Sequence, residues 1–109
     1  MTEARIVNLF MPKHGFTMEE GTLLAWTVAE GASIERGHVV AEVETEKATV
    51  EVEAPATGIL RRIVAGVGDT LPVGGMLGVI ADAAADDADI DAFVAHFHAT
   101  FVPPEKSEF

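Results

Sequence analysis

From Val39 to Ala54 the chain alternates, and the alternation changes phase once. Val39, Ala41, Val43 and Thr45 place small or apolar side chains on odd positions, whereas Ala48, Val50, Val52 and Ala54 place them on even positions. A period of two marks a half-buried strand, and a phase change between two such runs marks a reversal of the chain. A two-residue turn at Glu46 and Lys47 pairs Thr45 with Ala48, Val43 with Val50, Ala41 with Val52 and Val39 with Ala54. All four pairs then share one face, so burial fixes the register. Glu-Lys lacks the Asn-Gly or Asp-Gly chemistry of positive-φ hairpin turns and suits a type I turn. Lys47 is therefore predicted at the tip of a tight hairpin, directed at solvent. Glu42, Glu44, Glu46, Glu51 and Glu53 fall on the outer face. Glu42 then opposes Glu51, a like-charge pair that costs a few tenths to about 1 kcal/mol.

A second pattern is a repeat with a shift of 37 residues: Gly21 falls on Gly58, Leu23 on Leu60, Gly31 on Gly68, Ser33 on Thr70, Ile34 on Leu71, Gly37 on Gly74, Val40 on Leu77 and Val43 on Ile80. Two like halves imply a quasi-two-fold axis, and the shift sets Thr45-Glu46-Lys47 opposite Asp82-Ala83-Ala84, so the hairpin tip is expected at the far end from the exit of the chain. Strands are expected at Ile6–Met11, Thr22–Ala29, Val39–Thr45, Ala48–Ala54, Ile59–Ala65 and Met76–Ala81, with short pieces around Ile34 and Leu71. Short strands at this spacing, with Pro12, Pro55 and Pro72 at their ends, predict an all-β sandwich or barrel. The pattern changes after Ala81. Residues 82–89 read as an acidic Ala/Asp linker. Over 90–102 the period becomes helical, with Ile90, Phe93, Val94, Phe97 and Phe101 on one stripe. Pro103 and Pro104 are expected to stop this amphipathic helix, leaving a tail at 103–109. A row of phenylalanines is a poor solvent face, so the stripe is expected to pack on something, the preceding sheets being the simplest choice.

Composition narrows the function. The formal net charge of −11 argues against nucleic acid or an anionic membrane as partner. With no cysteine there is no disulfide framework and no thiolate metal site, so any redox chemistry must reside in something attached. The apolar runs fall short of the roughly 18 residues of a membrane span, and the start, Met-Thr-Glu-Ala-Arg-Ile-Val-Asn, has no secretory core. A cytoplasmic location is the resulting expectation. The histidines suggest no metal site: His14 and His38 are isolated, and His96 and His98 point roughly 200° apart on a helix. Of the lysines, Lys13 and Lys106 lack the hairpin frame that surrounds Lys47.

Met11-Pro-Lys-His-Gly-Phe-Thr-Met-Glu-Glu-Gly-Thr22, then Trp26, Glu30-Gly31, Glu44-Thr-Glu-Lys-Ala-Thr-Val-Glu-Val-Glu-Ala-Pro55, Gly58, Gly68-Asp69 and Pro72-Val-Gly74 resemble a lipoyl domain of the dihydrolipoyl acyltransferase components of 2-oxo acid dehydrogenase complexes. The resemblance covers about residues 5–81, so the lipoyl domain is expected over 1–81. It implies a flattened barrel of two antiparallel sheets with quasi-two-fold symmetry. It also implies lipoic acid joined by an amide to Lys47, with Glu46 and Ala48 as hairpin flanks. Such an arm takes an acyl group from a thiamine-diphosphate-dependent dehydrogenase component, passes it to an acyltransferase domain and is re-oxidised by dihydrolipoamide dehydrogenase. A lipoate ligase or lipoyl transferase would install it. The loop at Lys13, His14, Gly15, Phe16 and Thr17 would lie beside the modified lysine, and Lys13-His14 differs from the apolar residue often found there. Trp26 is expected in the core. The tail from Asp89 to Val102 resembles the connector of acetoin-dehydrogenase acyltransferase components.

Two other readings remain open. A biotinyl carrier domain of a carboxylase has the same fold and hairpin lysine, but normally sets Met on both sides of it, unlike Glu46 and Ala48 here. An unmodified adaptor module of the same fold tends to lack the lysine motif. Because neither an acyltransferase domain nor a small basic subunit-binding domain is recognisable in the sequence, the chain is expected to be a carrier rather than an enzyme.

Overall fold

The computed structural model describes residues 5–13 and 18–102. Eight strands form two four-stranded antiparallel sheets: β1 (Ile6–Phe10), β2 (Glu20–Trp26), β3 (Ser33–Ile34), β4 (Val39–Glu44), β5 (Thr49–Glu53), β6 (Gly58–Ile63), β7 (Thr70–Pro72) and β8 (Met76–Ala81). One sheet runs β1-β8-β6-β3 and the other β5-β4-β2-β7. The predicted all-β fold of two antiparallel sheets is present, with the sheets left open rather than closed into a barrel. Their inner faces share a core built around Leu9, Leu23, Ile34, Val40, Val43, Leu60, Leu77 and Ile80.

The repeat is written into the backbone. Gly31 N–H donates to Leu60 C=O at 2.7 Å, and Gly68 N–H donates to Leu23 C=O at 2.8 Å, the same bond with the halves exchanged. Gly37 N–H donates to Ala54 C=O and Gly74 N–H to Met11 C=O, both at 2.9 Å. Gly31 and Gly68 share φ 95, and Gly37 and Gly74 have φ 90 and 89, values that only glycine adopts without strain. The symmetry reaches the strand ends. Thr45 N–H donates to Ala48 C=O at 2.9 Å, and its counterpart Asp82 N–H donates to Arg5 C=O at 3.3 Å.

The bulges are repeated too, and they correct one expectation. Leu24 in β2 and Arg61 in β6 are extra residues opposite β4 and β8. Val40 in β4 and Leu77 in β8 are extra opposite β5 and β1. Beyond Val40 the hairpin register slips by one, so Val39 pairs with Glu53 rather than with Ala54. A bulge places two residues against one and lets the strand bend. Here it turns both Val40 and Ala41 inward, which strict alternation forbids, and each is fully buried.

Trp26 is partly buried against the core, with Nε1 donating to Ala65 C=O at 2.9 Å. This bond satisfies the one polar group of a large apolar side chain.

The helix α1 spans Asp87–Thr100 and so begins earlier than the pattern predicts, taking up Asp87 and Asp89 as first-turn acids. It has ended before Pro103 and Pro104, which lie outside the described residues. Its stripe packs on the outer face of the β1-β8-β6-β3 sheet: Ile90 is fully buried among Met76, Val79, Ala81 and Ala85, with Ile6, Val64, Phe93, Val94 and Phe97 around them. Ala85, in the predicted linker, is buried in the same cluster. Arg61 reaches Asp82 C=O at 2.6 Å and Asp87 Oδ1 at 3.1 Å, and Arg62 pairs with Asp91. Exposed ion pairs contribute at most about 1 kcal/mol, so burial of Ile90 is the larger share of the docking. Among the described residues no helix is long and apolar enough to cross a membrane.

Ile90→Ala is expected to cost about 2–5 kcal/mol, and hydrogen exchange across residues 87–100 should accelerate while the two sheets keep their protection; Arg62→Gln should cost less than about 1 kcal/mol. A Cβ on Gly78 would stand 2.7 Å from Arg62 C=O, whereas one on Gly21 would meet the Met11 sulfur at 2.9 Å. Backbone cannot yield as a thioether can, so Gly78→Ala is expected to lose about 1–3 kcal/mol in urea unfolding and Gly21→Ala less.

Candidate functional site

The β4–β5 hairpin builds the site. Val43 pairs with Val50 and Ala41 with Val52, as the alternation requires, and Val43, Ala41 and Val52 are buried. The inward face thus anchors the ribbon while its outer face carries Glu44, Glu46, Glu51 and Glu53, all exposed, with Glu42 half-buried. Glu42 stands directly opposite Glu51. β2 flanks β4 on its other side, so the hairpin is an extension of a sheet rather than an isolated ribbon.

At the tip, Glu46 and Lys47 are exposed, and neither takes positive φ, which excludes the mirror-image hairpin turns. The turn is held by Thr45. Its Oγ1 accepts Ala48 N–H at 3.1 Å and Lys47 N–H at 3.3 Å, and donates to Ala48 C=O at 2.9 Å. The sequence pattern assigned Thr45 only to the inward phase. The signal it underused is chemical: a Thr entering a turn readily bonds the N–H groups that follow it. Arg61 and Arg62 were likewise missed, because an Arg-Arg pair inside a strand announces no partner until the helix is folded over it.

Among the described residues, Lys47 makes no ion pair within 4.0 Å. It borders an open cleft whose other wall is Met18 to Thr22. Of the loop expected beside it, Lys13 is exposed, and His14, Gly15, Phe16 and Thr17 lie outside the described residues. The other described histidines are not at the tip: His38 sits at the open end of the hairpin, where its C=O accepts Ala54 N–H at 2.8 Å and its ring is 3.9 Å from Glu35, and His96 and His98 are exposed on α1. Among the described residues no group of three His, Asp or Glu could hold a metal. The arrangement therefore offers one rigidly mounted primary amine on an acidic ribbon. An exposed primary amine is chemically open to acylation by a separate enzyme.

Comparison with known proteins agrees with this fold. Residues 7–80 match the biotin/lipoyl family model described as "Biotin-requiring enzyme". The chain is 46% identical over 99 residues to the dihydrolipoyllysine-residue acetyltransferase component of the acetoin cleaving system of Pseudomonas putida, covering 91% of this chain and 27% of that protein. It is 50% identical over 92 residues to the component of the same name from Cupriavidus necator, covering 84% of this chain and 25% of that protein. The chain thus spans about a quarter of the length of these relatives. Among solved structures, the lipoyl domain of the 2-oxoglutarate dehydrogenase complex from Azotobacter vinelandii superposes with a TM-score of 0.52 at 28% identity, covering 66% of this chain and 94% of that one. A multi-domain long-chain acyl-CoA carboxylase shares the fold, with a TM-score of 0.60 at 20% identity over 88% of this chain and 9% of that one. The chain belongs to the biotinyl/lipoyl domain family, and the relatives it matches at 46% and 50% identity are dihydrolipoyllysine-residue acetyltransferase components.

Proposed function

We propose that the chain is a carrier module in which Lys47 holds lipoic acid as an amide, flanked by Glu46 and Ala48, and presents it in turn to the active sites of a multienzyme complex. The observation that carries this reading is the exposed Lys47 at the turn of an in-register hairpin whose inner face is buried. When bound, lipoic acid supplies a dithiolane that accepts an acyl group and two electrons. The chain's own part is mechanical and electrostatic. Lys47 Nζ, as the free amine, attacks the acyl carbon of an activated lipoyl donor. A C–N bond forms, the donor's leaving group departs with the electrons of its broken bond, and the amine gives up one proton. The amide removes the lysine charge, which leaves Glu44, Glu46, Glu51 and Glu53 as the exposed charges of the ribbon. The sheets hold the attachment point still, and tethering keeps the group at an effective concentration of about millimolar near its partners.

The partners that fit are a lipoate ligase or lipoyl transferase, a thiamine-diphosphate-dependent dehydrogenase, an acyltransferase domain and dihydrolipoamide dehydrogenase. We read the complex as acetoin-cleaving. The acetoin components match at 46% and 50% identity, against 40% for the pyruvate dehydrogenase component of Rickettsia prowazekii, and the Pseudomonas match, at 99 residues, extends past the family's 7–80 toward the helix. We read the chain itself as a carrier that makes and breaks no bond of the acyl substrate.

Incubation with lipoate, ATP and a lipoate ligase should add one lipoyl group, and peptide mapping should place it on Lys47. Lys47→Arg should keep the fold and abolish the gain. Biotinylation by a biotin ligase without lipoylation would replace this reading with the carboxylase-type carrier, and modification mapping to Lys13 would remove Lys47 from its role.

A further inference from the structure

We propose that Thr45 is a positioning residue for the acylation of Lys47: its hydroxyl locks the turn so that the amine meets the modifying enzyme in one orientation. The inference rests on the carrier reading and adds a second residue to the site.

The hydroxyl is fully used. An alcohol has two lone pairs and one hydrogen. Here Oγ1 accepts from Ala48 N–H and Lys47 N–H, and its hydrogen goes to Ala48 C=O, at 3.1, 3.3 and 2.9 Å. Ala48 C=O also receives Thr45 N–H at 2.9 Å. One side chain therefore ties both ends of the turn and the amide of the lysine itself. Glu46, Lys47 and Ala48 are exposed, whereas Thr45 is half-buried, and among the described residues no other side chain bonds the Lys47 or Ala48 amide. The β-branch restricts χ1, so the hydroxyl is held toward the turn at little entropic cost.

The other half of the fold supplies an internal control. Asp82, the counterpart of Thr45, accepts Arg5 N–H on Oδ2 at 3.1 Å, while its own N–H reaches Arg5 C=O at 3.3 Å. A carboxylate accepts as the threonine does but has no hydrogen to give a carbonyl. The end of the molecule without a lysine turn thus makes do with acceptance, whereas the lysine end adds the donated bond. A turn that loses it gains freedom at Lys47, and misplacing a reacting atom by about 1 Å can cost up to a hundredfold in rate.

The test compares Thr45→Val, which keeps the shape and loses all three bonds, with Thr45→Ser, which keeps all three. Lipoate ligase kinetics would be followed by intact mass, and amide exchange by NMR. Thr45→Val should lower kcat/KM for lipoylation by about tenfold or more. Its Lys47 and Ala48 amides should exchange faster while the strand amides are unchanged, and Thr45→Ser should stay close to wild type on both measures. Wild-type kinetics in Thr45→Val, equal loss in Thr45→Ser, or unchanged Lys47 and Ala48 exchange in Thr45→Val would each overturn the proposal. A wild-type chain that takes no lipoyl group would overturn the carrier reading instead, and the exchange rates would still decide whether the hydroxyl holds the turn.

Discussion

Each sheet is completed by a strand from the opposite half of the chain. β3 leaves the first half to pair with β6, and β7 leaves the second half to pair with β2. The reciprocal bonds from Gly31 to Leu60 and from Gly68 to Leu23 are the knots of this exchange. Each buried backbone group left unpaired would cost about 1–3 kcal/mol. Neither half can satisfy its own edge, so the halves are expected to fold together or not at all. The lysine hairpin inherits this coupling. β5 leans on β4, β4 on β2, and β2 on the borrowed β7. The fixed position of an exposed amine is thus the far end of a chain of pairings that begins with two glycines in left-handed turns.

Charge is distributed to match. The residues after Ala81 carry seven acids and one base, a share that would make a free tail strongly repelled by an acidic domain. Arg61 and Arg62 meet that tail on the sheet's outer face, engaging Asp87 and Asp91. Among the described residues the hairpin acids have no such countercharges: Glu42 and Glu51 face one another, and Glu44, Glu46 and Glu53 are exposed. The molecule therefore offsets acidity where the helix docks and leaves it uncompensated by described groups on the hairpin.

Much of this was legible because alternation, phase and glycine spacing are direct projections of strand geometry. The phase flip located Lys47 in its turn, and the 37-residue shift located bonds that no local pattern could reveal. Other features were illegible for physical reasons, the strand arginines that meet the helix among them. The bulge at Val40 adds a residue without breaking apolar composition, so the alternation read through it and mispaired Val39 with Ala54. Asp87 and Asp89 looked like linker because first-turn helix residues are selected for the dipole rather than for the apolar stripe. The three bonds of Thr45 depend on hydroxyl direction, which a binary pattern of apolar and polar residues does not encode.

The pairing of Arg5 with Asp82 has a consequence for how such a module sits in a longer polypeptide. Where the first half closes its ribbon covalently through Glu46 and Lys47, the second closes the equivalent ribbon with two hydrogen bonds across a gap in the chain. The domain has, in effect, two ribbon ends of one design, one continuous and one cut. The cut end is where polypeptide enters and leaves, side by side, like the two leads of a plug. Polypeptide on either side of the domain therefore meets at one ribbon end, while the ribbon end that carries Lys47 is a closed turn with no strand terminus.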